Sequence, residues 1–271
     1  MVTVPASTLA HYRRFSRYNS PYPAHDRGCA IDLYPESNRG ISPVAGEVLD
    51  TRTVGAPSRP YAVAEDHLIL IGTGEHIARV LHVDPAVAPG ETVAVGDSLG
   101  EMVRSGFFAP WVDNHVHLGF RDPDANPYRA AGSLPVDVDV DVRPLDWDGT
   151  GVVREAGETY VVLDEPTHPK PGTWAGLAGG RGVVLDGGYP HYDGGGVLPD
   201  ADGPVSVAGA RAGVADGRDV AWDDVTLAAN GESITGLSLF VARDAGFGAK
   251  LVHPGHDFAV GDRVTVSVSA E

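Results

Sequence analysis

Short apolar runs separated by glycine and proline recur along the chain, as in Gly46-Glu47-Val48-Leu49, His67-Leu68-Ile69-Leu70-Ile71, Ile77 to Val83 and Val116 to Phe120. Runs this short, rich in Val and Ile and bounded by turn-forming residues, read as strands, and almost nowhere do apolar residues recur at helical spacing. The one helical stretch expected is around Ser7 to Tyr18. The clearest pattern is Val136-Asp137-Val138-Asp139-Val140-Asp141-Val142, a strict alternation that predicts one half-buried strand with valines inward and aspartates in water. That aspartate row does not point to calcium, because carboxylates on one open strand face cannot wrap an ion. The pattern as a whole predicts an all-β chain.

Asp146-Trp147-Asp148-Gly149 reads as a turn, and a second β-rich region begins at Gly151. The expected boundary therefore lies near Pro144, with a first domain over 1–143 and a second, of unassigned role, over 144–271. The glycine clusters Gly179-Gly180, Gly187-Gly188 and Gly194-Gly195-Gly196 are read as turns, since no lysine or strand-to-helix transition follows as a phosphate loop requires. With 271 residues and 42% hydrophobic positions the chain can bury a real core. It has no apolar run of about 18 residues, so no membrane span is expected. Met1 to Arg14 lacks the pattern of a secretory signal, which makes the cytoplasm the expected location. The single cysteine, Cys29, excludes an internal disulfide framework and a multi-cysteine zinc site.

A formal net charge of −17 argues against nucleic acid and anionic membrane as partners, because phosphate contacts need concentrated Lys and Arg. Lysine occurs only at Lys170 and Lys250; arginine supplies the remaining positive charge. This balance matches proteins adapted to a high-salt cytoplasm, where an acidic surface keeps the chain soluble and salt screens its self-repulsion. Melting temperature followed by circular dichroism should therefore rise from low to molar potassium chloride at fixed pH. A flat or falling trend would reject the salt adaptation.

The densest chemistry sits at His115-Val116-His117. Two imidazoles at i and i+2 on an extended segment face the same side of a sheet. With His25, Asp32 and His82 upstream, they could complete a zinc site that leaves one position open for water. In the second half, His253-Pro254-Gly255-His256-Asp257 has similar content, but a Pro-Gly turn between strands accounts for it.

The order of the flanking segments is specific. Gly28-Cys29-Ala30-Ile31-Asp32-Leu33-Tyr34-Pro35 is followed by Ile41-Ser42-Pro43-Val44-Ala45-Gly46-Glu47-Val48, then Arg79-Val80-Leu81-His82, the Val87 to Gly100 stretch, and His115-Val116-His117-Leu118-Gly119-Phe120. Over about residues 22–121 this succession resembles the lysostaphin-like zinc metallopeptidases, peptidoglycan endopeptidases with a His…Asp…His-x-His signature. The resemblance implies an antiparallel sheet domain in which His25, Asp32 and His117 bind zinc while His115 and His82 act on water and the substrate carbonyl. Two features depart from the family pattern. His25 and Asp32 are seven apart rather than four, which leaves Asp26 and Cys29 as alternative ligands, and Val112-Asp113-Asn114 replaces a Gly-containing approach to the His pair.

What the resemblance implies is a zinc-dependent hydrolase, a metalloendopeptidase cleaving a peptide or related amide bond, with glycine-containing cell-wall crosslinks as the family's substrate. The alternative is a non-catalytic ligand-binding or structural protein that retains the fold. A sugar-transport phosphocarrier is a weaker third reading, without a supporting partner signature.

Overall fold

A computed structural model describes residues 1–270. Strands hold 49% of the chain and helix 4%, so the protein is all-β. It forms two compact units, one made of Met1–Phe15 and Tyr22–Val140, the other of Ser16–Pro21 and everything from Asp141 onward. Among the described residues no helix is long and apolar enough to cross a membrane.

The first unit contains β1 (Val2–Pro5), α1 (Ala6–Leu9), β2 (Arg14–Ser16), β3 (Ala30–Tyr34), β4 (Arg39–Ile41), β5 (Gly46–Gly55), β6 (Glu65–Gly72), β7 (Ile77–Leu81), β8 (Val83–Pro85), β9 (Thr92–Val93), β10 (Ser98–Met102), β11 (Val116–Arg121) and β12 (Val136–Asp139). Its main sheet runs in the order β2-β3-β11-β7-β6-β5-β9, and a smaller one in the order β4-β10-β8. At the centre β11 lies antiparallel to both neighbours, with His117 opposite Asp32 of β3 and Leu81 of β7, and Gly119 opposite Ala30 and Arg79.

Because directly paired residues project to the same side, this register sorts the side chains into two faces. One carries Ile31, Leu33, Ala78, Val80, Val116, Leu118 and Phe120, all buried. Burying each of the larger ones contributes roughly 1.5–3 kcal/mol, which pins the register. The opposite face carries Asp32, Arg79, His117 and Arg121, and Asp66 joins it from β6, where Leu68 pairs with Leu81. A one-residue slip would exchange the two sets, so the apolar face fixes where the polar one points.

The helix expected over Ser7 to Tyr18 is confined to Ala6–Leu9. Leu9, Tyr12 and Phe15 are buried at a spacing that imitates a helix. The backbone after Leu9 instead finds its partners in the sheet, with Arg13 N donating to Tyr34 O at 2.9 Å and Arg14–Ser16 extended. Residues 16–21 belong to the second unit, where Arg17 N donates to Asp186 Oδ2 at 2.6 Å and Asn19 Nδ2 to Ser238 Oγ at 2.8 Å.

The alternating run at 136–142 also differs from expectation, being two strands rather than one. Val136–Asp139 pairs in parallel with β1, burying Val136 and Val138, whereas Val142–Leu145 pairs with Trp174–Leu177 in the second unit. The break falls where the chain passes from one unit to the other. In the second unit a twelve-stranded sheet surrounds a core that includes Val161, Leu163, Leu185, Val197, Leu237 and Leu251. Lys250 is buried there with its Nζ 4.0 Å from the centre of the Tyr160 ring, so Lys170 is the chain's one exposed lysine.

Candidate metal centre

His25, Asp32 and His117 converge on the polar face of the first unit, all buried. Asp32 and His117 come from directly paired positions of adjacent strands. His25 arrives on the single-turn segment Pro23–Gly28, which ends with Arg27 at φ 55° and Gly28 at φ 61°. That left-handed pair turns the chain sharply into β3, and this is how a ligand seven residues before Asp32 reaches it. Asp26 is exposed on the outside of the turn and half-buried Cys29 is not among the converging groups.

His25 Nε2 lies 3.1 Å from His117 Nδ1 and 3.2 Å from Asp32 Oδ1, and His117 Nδ1 lies 3.0 Å from Asp32 Oδ1. Donors arranged tetrahedrally about 2.1 Å from an ion stand about 3.4 Å apart, so the three atoms need move only a few tenths of an ångström to share one cation. Two imidazole nitrogens and one carboxylate oxygen are also a donor set that suits a borderline metal. The group could therefore hold a metal ion.

Protonation agrees with ligation. Burial pushes His117 down to about 3, so its nitrogen keeps a lone pair at neutral pH. Burial alone would raise Asp32, but charge and hydrogen bonds from His115, His25 and His117 hold it well below the usual carboxylate range.

His115 and His82 stand beside this group. His115 Nε2 lies 3.3 Å from Asp32 Oδ1, while its Nδ1 is 2.9 Å from the Asp113 carbonyl, an acceptor only. Nδ1 must therefore donate, which turns Nε2 toward the centre. His82 packs edge-on to His115 and His117, with ring centres 5.1 Å and 5.7 Å apart. It sits at the break between β7 and β8 with φ 71°, a left-handed conformation unusual for a non-glycine residue. Phe108 packs against both rings, with ring centres 4.7 Å from His82 and 4.4 Å from His115.

The family model described as Domain of unknown function (DUF8155) N-terminal domain matches residues 3–138, and the C-terminal domain model of that name matches residues 143–269. The chain belongs to the DUF8155 family. Every residue of the centre falls within the DUF8155 N-terminal domain. No curated protein and no solved structure matches the chain.

One residue of the DUF8155 centre escaped the reading of the sequence. Asp66, fully buried on β6, accepts from His82 Nδ1 at 2.6 Å, from Ser105 Oγ at 2.6 Å and from the His67 backbone N–H at 2.7 Å. An ionised carboxylate that already accepts from Ser105 requires His82 Nδ1 to be the donor, so Asp66 fixes both the tautomer and the orientation of His82. The sequence signal available was only the strand placement of Asp66 on the face of the His pair.

Burial raises Asp66, and His82 together with the other donors outweighs it, giving a value of about 2. A carboxylate whose folded value lies below its unfolded value near 4 adds stability above that pH and loses it as pH falls toward 2, a contribution on the order of 2 kcal/mol. Asp66→Asn should therefore be less stable than the parent at pH 6, with the gap narrowing between pH 4 and 2.5 in denaturant melts. A gap that stays constant across that range would show that the Asp66 charge adds nothing.

Proposed function

We propose that this protein is a zinc-dependent hydrolase, a metalloendopeptidase of the lysostaphin-like kind acting on a peptide or related amide bond. The observation that carries this reading is the convergence of His25, Asp32 and His117 with the rings of His115 and His82 packed beside them. His25, Asp32 and His117 would hold the zinc, in keeping with the resemblance of residues 22–121. Zinc bound there supplies Lewis acidity and makes water ionise near neutral pH.

The chain's own groups divide the remaining work. His115, with Nδ1 held by the Asp113 carbonyl, turns Nε2 toward the centre, where it would accept a proton from attacking water. His82, held through Nδ1 by Asp66, presents its other nitrogen and in the protonated state can donate to the oxyanion that develops on the amide carbonyl. Phe108 lies against both rings and keeps water away from them, which strengthens each interaction. The strongly acidic charge balance supports a cytoplasmic setting and a substrate other than nucleic acid or anionic lipid.

A second reading, a non-catalytic binding or structural protein that keeps the fold, is favoured by one observation: none of the five site residues is more than 6% exposed. Turnover by zinc-loaded protein on a broad panel of peptides and muropeptides separates the two. Cleavage that a chelator stops supports the hydrolase; complete inactivity across the panel leaves the binding protein.

A further inference from the structure

The polar face that carries the metal centre continues along β11 to Arg121, and across to Arg79 on β7. Both arginines are buried, at 2% and 3% exposure. Among the described residues no carboxylate bonds either one, although the chain has 37 acidic residues. Their protein partners are carbonyls instead: Arg79 Nε donates to Pro127 O at 2.7 Å, and Arg121 Nη2 to Arg129 O at 2.6 Å and Ala131 O at 2.7 Å. A carbonyl accepts a hydrogen bond but does not neutralise a charge, and two buried cations side by side disfavour each other. Burial and the neighbouring Arg121 lower Arg79 to about 10.

Donor capacity remains unused at the same place. Arg121 Nε and Ser133 Oγ are sealed from solvent and have no hydrogen-bond partner, and Arg79 commits only its Nε to the protein. Gly119, which pairs directly with Arg79, and Gly132, which precedes Ser133, mark the place. A Cβ at Gly119 would stand 3.0 Å from Ser133 Oγ, and one at the adjoining Gly132 would stand 3.0 Å from Arg121 Nη1. The absence of a side chain at Gly119 lets the Ser133 hydroxyl approach the strand between the positions of Arg79 and Arg121.

We infer that Arg79, Arg121 and Ser133 form an anion subsite that takes a carboxylate of the substrate. Gly119 and Arg121 lie two and four residues beyond His117 on one strand face, about 7 and about 14 Å along it. A carboxylate held there sits roughly two to four residues of extended peptide from the bond at the metal centre. The substrate class is then a peptide with a nearby free C-terminus or acidic side chain. A net charge of −17 repels such ligands at long range, so their recognition needs this concentrated local positive charge. Naming the ligand a substrate rests on the hydrolase reading; the anion subsite itself does not.

The test compares binding of acetyl-tetraglycine with that of its C-terminal amide, by NMR titration of the full chain in moderate salt. The acid should bind at least about tenfold more tightly, as a charge-assisted pair with arginine implies. The same preference should persist in His117→Ala, where a metal cannot be its source. Arg79→Gln and Arg121→Gln should bring the ratio to about one; where these variants do not fold, Ser133→Ala should still lower it several-fold.

Equal binding of acid and amide by the parent overturns the subsite, as does a preference that survives both arginine replacements or vanishes in His117→Ala. If the arginines only pin the segment after β11, their replacement lowers the melting temperature and leaves the ratio unchanged. Peptide turnover without acid preference would defeat the subsite and spare the hydrolase; acid preference without turnover of any peptide would do the reverse.

Discussion

His117→Ala should take the metal content of the purified protein from about one zinc per chain to none. Protein prepared without added zinc and measured by elemental analysis provides the comparison. The expectation follows from geometry: His117 Nδ1 is within 3.1 Å of both other donors, and two remaining ligands cannot hold a catalytic-type zinc that normally has three. His117 also lies in the middle of a strand whose apolar neighbours Val116 and Leu118 are untouched by the change, so the register of the sheet should survive. Circular dichroism checks that the variant folds. Stoichiometric metal in folded His117→Ala would remove this residue from the site and with it the proposed ligand set.

The second large effect separates ligands from acid–base groups. His115→Ala and His82→Ala should each retain zinc yet lose hydrolysis by about a hundredfold or more. His115 is the sharper case, since its Nε2 lies 3.3 Å from Asp32 Oδ1 and by distance alone could be a fourth ligand. Retained metal with lost turnover assigns it to proton transfer; lost metal makes it a ligand. Unchanged turnover in both variants would defeat the mechanism. Asp66→Asn should resemble His82→Ala in kind and be milder, by about ten- to a hundredfold, because it loosens the ring without removing it.

The parts of this arrangement that could be read from the sequence are those set by local rules. Short Val-rich runs between glycines announced the strands, and the two-residue spacing of His115 and His117 announced a shared direction. What stayed hidden depends on contacts between distant positions. Asp66 is one acidic residue among many until β6 is paired with β7 and Ser105 is brought to it from 39 positions away. Arg79 and Arg121 look like ordinary strand cations until their pairing partners place them on the face of the metal centre. Residues 16–21 join the second unit through Asp186, about 170 positions later, which no local pattern around Tyr18 encodes. The Ser7 to Tyr18 helix failed for the same reason: its apolar spacing was real, and the sheet hydrogen bonds that won over it were not local.

The left-handed backbone of His82 carries an implication for how this protein would respond to selection. Glycine or asparagine suits that conformation better than a histidine does, by roughly 1 kcal/mol. A library screened for folding alone should therefore release that strain only where position 66 changes together with position 82, since glycine or asparagine at 82 by itself leaves the buried Asp66 carboxylate without its 2.6 Å partner. A screen for turnover should hold both residues in place and gather compensating changes elsewhere in the sheet, so the two regimes would diverge first at this pair.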